Sequence, residues 1–71
     1  MTHYIIIELQ TMADGQVASL VHTAEARNAA ESVYHQVLAA AALSDLPAHA
    51  AVLMSNEGFV LDSKCYLSED K

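Results

Sequence analysis

The sequence predicts an α+β domain of ββαββ order, in which a four-stranded, mainly antiparallel sheet carries one helix on one face. Three observations support this prediction. A long apolar run lies in the middle of the chain and ends at Pro47. The segments on either side of it are rich in β-branched and other apolar residues and alternate as strands do. Turn residues, Asp14 with Gly15 and Glu57 with Gly58, divide each of these segments in two. Strand orders 2-1-3-4 and 1-2-4-3 would both keep all neighbouring strands antiparallel.

The first strand, predicted over residues 4–10, has two different faces. One face is wholly apolar and the other carries a charge, so we expect the apolar face to lie on the core. The expected core set is Ile5, Ile7 and Leu9, and the opposite set is Tyr4, Ile6 and Glu8.

The return strand, predicted over residues 17–22, has two possible registers. A two-residue turn at Asp14 and Gly15 would pair Leu9 with Leu20. A three-residue loop ending at Gly15 would instead pair Ile7 with Val21 and send Leu20 to the opposite face.

The helix is predicted from about residue 29 to residue 44. Asn28 is a suitable N-cap, and Glu31 three residues later completes a capping box. Pro47 requires the helix to end before it, because its ring disfavours helical geometry at the preceding residue. At helical spacing one stripe is expected to cover the sheet. This stripe consists of Ala30, Val33, Tyr34, Val37, Ala41 and Ser44.

The second half of the helix, residues 37–43, has no polar face. A helix that is apolar all round is normally buried all round, so the sheet cannot be its only neighbour. The expected subunit-interface residues on this helix are Ala39, Ala42 and Leu43.

The second hairpin is predicted to join residues 49–54 to residues 59–67 through a loop that contains Gly58. A three-residue loop would pair Leu53 with Leu61 in the core, whereas a two-residue turn would put Met54 there. The expected core set of the last strand is Phe59, Leu61, Cys65 and Leu67, and the opposite set is Val60, Asp62, Lys64 and Tyr66.

Several stretches of the chain are similar to a known group of sequences. They are residues 27–35 (RNAAESVYH), the alanine run that ends at Leu43 and Ser44, His49 with Ala50, and Glu57 with Gly58. The chain resembles, over roughly residues 4–66, small uncharacterised bacterial proteins associated with gut Firmicutes and with prophage-like or other mobile elements. The resemblance implies an accessory protein of unknown function and carries over no catalytic or binding residues.

Size and composition favour self-association. A single domain of 71 residues buries only about 60% of the surface that its unfolded chain exposes, and one cysteine allows no internal disulfide. Because 54% of the residues are apolar, we expect a homo-oligomer. A formal charge of −6 makes nucleic acid and acidic membrane surfaces unsuitable partners. The lone thiol and the lack of an apolar run of about 20 residues predict a cytoplasmic protein rather than a membrane protein.

The residues that could carry chemistry do not form a motif. The candidate metal ligands are His22, His49 and Cys65, whose spacing in the sequence supports no particular site, so we predict no metal, cofactor or catalytic residue. Glu8 and Asp62 would form a carboxylate pair only if the first and last strands approached each other on the face opposite the helix.

The sheet face opposite the helix is the second expected interface. Its expected members are Tyr4, Ile6, Val60 and Tyr66, which combine apolar surface with polar tips as protein contacts do. The function that the sequence favours is a homo-oligomeric accessory or protein-interaction module that contacts itself or another protein. The alternative is a small-ligand or metal-binding module that uses the histidine, cysteine and tyrosine side chains.

Overall fold

A computed structural model describes residues 3–70, with the side chain of residue 70 left aside. It confirms the ββαββ order. The elements are β1 (Tyr4–Thr11), β2 (Val17–Ala24), α1 (Arg27–Ala42), β3 (Ala48–Ser55), β4 (Val60–Leu67) and a final 3-10 turn (Ser68–Asp70). The four strands form one antiparallel sheet in the order β2-β1-β3-β4, which is the first of the two predicted orders.

The first hairpin has the three-residue loop. The backbone N–H of Met12 donates to the carbonyl oxygen of Gln16 at 2.8 Å. The backbone N–H of Gly15 donates to the carbonyl oxygen of Met12 at 3.0 Å. Gly15 has a φ of +90°, which suits a residue without a Cβ. Ile7 therefore pairs with Val21, and the second of the two predicted registers is confirmed.

Helix α1 begins at Arg27 and ends at Ala42, two residues earlier at each end than predicted. Ala26 is the N-cap and makes no side-chain capping bond, so the predicted capping box is wrong. Asn28 lies inside the first turn, where its Oδ1 accepts from the N–H of Ala29 at 2.8 Å. The Oε2 atom of Glu31 lies 3.8 Å from the Nε atom of Arg27, one helical turn earlier. Glu31 therefore does not reach back to Asn28.

The predicted stripe of α1 does cover the sheet. Its buried members are Ala30, Tyr34, Val37 and Ala41, with Val33 packed beside them. Small side chains such as these alanines allow a helix to approach a sheet closely, and Tyr34 belongs to the same buried cluster as Ile6 and Leu53.

The helix lies on the face of β1 that carries Ile6, which is fully buried. The prediction that Ile5, Ile7 and Leu9 face the core is therefore wrong. The chain path supplies the physical reason. Because β1 is antiparallel to both β2 and β3, the latter two strands are parallel, and α1 connects them across β1. Such connections are almost always right-handed, so the chain path, and not relative apolarity, selects the face that is covered.

The second hairpin also has a three-residue loop, since the N–H of Ser55 donates to Phe59 at 2.9 Å and Met54 pairs with Val60. A β-bulge then shifts the register, so that Leu53 pairs with Asp62 rather than with Leu61. The predicted core set of this strand is wrong as well. Its members, Phe59, Leu61, Cys65 and Leu67, are all exposed.

Candidate functional site

The side of the sheet away from α1, here called the open face, has no covering layer among residues 3–70. Strand register places alternate residues of all four strands on it. Its apolar members are Ile5, Ile7, Leu9, Val17, Val21, Ala48, Ala50, Val52, Met54, Val60, Cys65 and Leu67. Its polar members, Thr11, Ser19, Thr23 and Ser63, are uncharged.

The charged residues of the strands are all on the other side. Glu8, Asp62 and Lys64 are the charged residues within β1 to β4, and the register places each of them on the helix side. The remaining charged residues among residues 3–69 lie in loops, in α1 or after β4. In a protein of net charge −6, the open face is therefore a neutral and largely apolar surface.

A buried polar pair lies on the helix side of the two central strands. The Nε2 atom of His49 is 2.5 Å from Oε2 of Glu8, and Gln10 donates to the same oxygen at 2.9 Å. The Nδ1 atom of His49 is buried and has no hydrogen-bond partner among the described residues. This network assigns Nε2 as the protonated nitrogen that donates to the carboxylate.

The environment of Glu8 favours its ionised form. Burial by itself raises the pKa of this carboxyl group, but the hydrogen bonds from His49 and Gln10, together with the charges of His49 and His22, outweigh burial. The pKa of Glu8 therefore lies below its ordinary value. Solvent and ligands have little access to the Glu8 carboxylate, because its side chain is only 13% exposed. We therefore assign Glu8 a structural role.

A second cluster of polar side chains lies around Tyr34. Burial raises the pKa of the Tyr34 hydroxyl, and the neighbouring Asp62 carboxylate raises it further by its charge and as a hydrogen-bond acceptor. Tyr66 lies near Tyr34. The Nζ atom of Lys64 is 5.0 Å from the centre of the Tyr66 ring, which is a cation–π distance. Glu8 and Asp62 are thus held by different partners on strands that are not neighbours, so the approach of β1 and β4 that a carboxylate pair would require does not occur.

The predicted interface residues fall into three groups. Tyr4, Ile6 and Tyr66 lie on the helix side, and Ile6 is inaccessible, so they do not form the predicted patch opposite the helix. Val60 is exposed on the open face, because the bulge separates it in register from Asp62. The helix set, Ala39, Ala42 and Leu43, is exposed on the outer side of α1 and just after it, with Leu43 87% exposed.

The candidate metal ligands are not brought together. His49 is buried under the helix, His22 lies on the edge strand β2, and Cys65 is on the open face. Among the side chains of residues 3–69, no three His, Cys, Asp or Glu residues are close enough to hold a metal ion, and no ligand-sized cavity is present in this part of the chain. No helix in this part of the chain is both long and apolar enough to cross a membrane.

The pair of Glu8 and His49 is the feature that sequence reasoning missed. These residues are 41 positions apart and meet only because β1 is next to β3 in the sheet. The register places Gln10 opposite His49 and Glu8 one diagonal step away. Had the strand order been known, Glu8 and His49 would have been predicted to meet, because they lie on the same face of the two central strands.

Comparison with known proteins adds no identity to this geometry. No family model, curated protein or solved structure matches the chain. The resemblance to small bacterial accessory proteins stays a prediction.

Proposed function

We propose that the protein is a small, self-associating interaction module of accessory type, in which the open face of one copy packs against the open face of a second copy. One observation carries the proposal: the open face is neutral and apolar, whereas the charged residues of the sheet point to the helix side. A monomer in water would be expected to show the reverse arrangement, with charges on the uncovered face.

The dimensions of the open face suit a dimer. Strands lie about 4.8 Å apart and rise about 3.3 Å per residue. Four strands of eight residues therefore cover roughly 19 by 26 Å, or roughly 500 Å² on each copy. Two such faces bury about 1,000 Å² in total before side-chain relief is counted, which is the lower limit expected of a specific interface.

The small core of the single chain supports the same assignment. Its buried apolar side chains include three alanines, and the largest are Tyr34, Ile6 and Leu53. A second sheet packed about 10 Å away would bury a further apolar layer and give a helix-sheet-sheet-helix sandwich. Such a layer would supply the extra burial that a domain of this size otherwise lacks.

The chemistry of the face also favours a second copy. Two molecules that each carry a charge of −6 repel, but the repulsion is smallest where neither surface is charged, as on the open face. Cys65, which is exposed on this face, would be covered in the dimer. A cytoplasmic location is part of the proposal, because a reducing compartment preserves a lone thiol.

The solution mass tests the proposal. Light scattering and sedimentation at about 100 µM should give twice the 7.6 kDa of one chain. Val52 lies on a central strand of the open face, so V52K would place an unpaired charge in the interface and weaken dimerisation at least 100-fold. The same change should increase the rate at which Cys65 reacts with a thiol reagent.

The matched control is A39K, which adds the same charge to the exposed outer side of α1 and should leave the dimer intact. Circular dichroism should show that both variants are folded. A mass of 7.6 kDa for the unmodified protein would refute the proposal. A dimer that A39K disrupts and V52K does not would instead assign the contact to the surface of Ala39, Ala42 and Leu43.

A further inference from the structure

The outer edge of β2 is a second surface with the properties of a binding site. β2 is one of the two edge strands, and its outer backbone N–H and C=O groups face no other strand within residues 3–70. Its eight residues, VASLVHTA, include no charged residue and no proline. It pairs with β1 over its whole length without a bulge. An edge of this kind is a template for a further strand.

The opposite edge of the same sheet is protected. β4 carries Asp62 and Lys64, and the bulge interrupts the regular spacing of its backbone groups. Charged side chains, lysine above all, and bulges are the devices by which proteins prevent strands from adding to an edge. The sheet therefore blocks pairing at β4 and permits it at β2.

The side chains around β2 indicate what kind of strand fits. Leu20 is exposed on the helix side of the strand, and Val17 and Val21 are exposed on the open face, so an added strand would meet apolar side chains on both of its faces. Asp14 in the preceding turn and Glu25 just after the strand are both exposed. An incoming strand would thus meet a centre without Asp, Glu, Lys or Arg, in which Ser19, His22 and Thr23 lie among apolar residues, and an acidic residue beyond each end of β2.

These charges argue against a second copy of β2 as the occupant. In an antiparallel pair of two β2 strands, Asp14 of each copy would lie towards Glu25 of the other, so both ends would bring like charges together. A basic segment has the complementary charge.

We propose that the outer edge of β2 binds an extended segment of another protein as a fifth strand, and that this segment is apolar at alternate positions and has Lys or Arg at both ends. Backbone hydrogen bonds supply the attachment, and the acidic ends of β2 favour the basic ends of the segment. The site does not depend on the proposed dimer, because face-to-face packing covers the open face and leaves the edge of the sheet free.

The test uses nuclear magnetic resonance of the full chain, labelled with nitrogen-15, and a blocked synthetic nonapeptide, Lys-Val-Thr-Val-Thr-Val-Thr-Val-Lys. Its two lysines lie about 26 Å apart when it is extended, which lets them reach the acidic residues beyond both ends of the eight-residue strand β2. The peptide should shift the amide signals of residues 17–24 and slow hydrogen exchange at every second amide of β2. A peptide with Glu in place of both Lys should bind about ten-fold more weakly at low salt. The double variant D14N/E25Q should remove most of that difference.

Two peptide controls separate backbone pairing from unspecific apolar contact. In an extended peptide, N-methyl groups on alternate amides remove the hydrogen-bond donors along one edge only. The peptide methylated on the edge that faces β2 should not bind, whereas the peptide methylated on the opposite edge should bind normally. Repeating the titration with V52K separates this proposal from the dimer, since binding at β2 should persist in a monomer.

Three results would overturn the proposal. One is the absence of any shift in residues 17–24 at millimolar peptide. The second is a response located in β4 or confined to the open face. The third is protection of the outer β2 amides without peptide, with a solution mass larger than that of a dimer, which would make a second copy the occupant of the edge.

Discussion

The buried pair of Glu8 and His49 gives the sharpest test of how the sheet is stabilised. Their side chains are 13% and 6% exposed, and each is the main hydrogen-bonding partner of the other. Replacing Glu8 by Leu puts a slightly larger apolar side chain in its place and leaves the Nε2–H of His49 without an acceptor, next to an Nδ1 that already has no partner among the described residues. Replacing His49 by Leu leaves a nearly buried carboxylate with only Gln10 as donor.

The expected cost follows from these contacts. Breaking a fully buried ion pair by removing one partner costs about 3–5 kcal/mol, and a buried donor without an acceptor costs about 1–3 kcal/mol. Because Glu8 retains some contact with water, we expect each single variant to lose about 2–3 kcal/mol. For a domain of this size, such a loss lowers the melting temperature by about 10–20 °C.

The double variant E8L/H49L is the decisive comparison. It removes both polar groups at once, and two apolar groups of similar volume can replace a buried pair at little or no cost. The double variant should therefore be more stable than either single variant. Urea unfolding followed by far-ultraviolet circular dichroism at pH 7 and at one fixed protein concentration measures all four free energies of unfolding.

The control for this cycle is E31L, which removes the exposed partner of Arg27 and should change the free energy of unfolding by no more than about 0.5 kcal/mol. A double variant whose loss equals the sum of the two single losses would refute the reasoning, because it would show that the two side chains are not coupled.

Three further predictions concern pH, a buried hydroxyl and a turn. Burial raises the pKa of Glu8, but the hydrogen bonds from His49 and Gln10 help to bring this pKa below its ordinary value of 4.5. The Glu8 carboxylate therefore stabilises the fold above about pH 4.5, and this contribution is lost as the pH falls through the pKa of the folded state. E8Q should flatten the acid-induced loss of stability below that pH in urea unfolding. Y34F should cost about 1 kcal/mol and remove from an alkaline absorbance titration the tyrosine whose pKa burial and Asp62 raise. G58A should cost about 1 kcal/mol by thermal unfolding, because Gly58 has a φ of +96°, although a Cβ there meets no atom within 4 Å.

Local patterns predicted the elements and the helix contact. The spacing of Ala30, Tyr34 and Val37 was sufficient to identify the buried stripe of α1, because helical periodicity depends only on neighbouring residues. The turn glycines likewise indicated two hairpins, and Gly15 is at the loop position that has a positive φ. The self-association surfaces stay predictions, since a single chain does not test them.

Features that depend on distant parts of the chain were not predictable in the same way. The bulge in β4 lets Val60 and Asp62 face opposite sides although they are two residues apart, which strict alternation forbids. The start of α1 at Arg27 depends on the extended conformation of Ala26 and not on the favourable capping chemistry of Asn28. The contact between Glu8 and His49 depends on the strand order, which the sequence left open.

The reversed sheet faces are the structural reason for proposing a dimer. In an isolated antiparallel sheet the more apolar face meets the core, and by that rule Ile5 and Ile7 should lie under the helix. Instead the fold places Glu8 there, where its carboxylate needs His49 and Gln10 to offset the cost of burial. The partners of Glu8 more than offset its burial, but Ile5 and Ile7 stay half-buried on a face with no covering layer among the described residues. In the proposed dimer a second apolar layer would remove these isoleucines from water. The isoleucines of the open face, and not Glu8, are thus the part of this reversed arrangement that supports the proposed dimer.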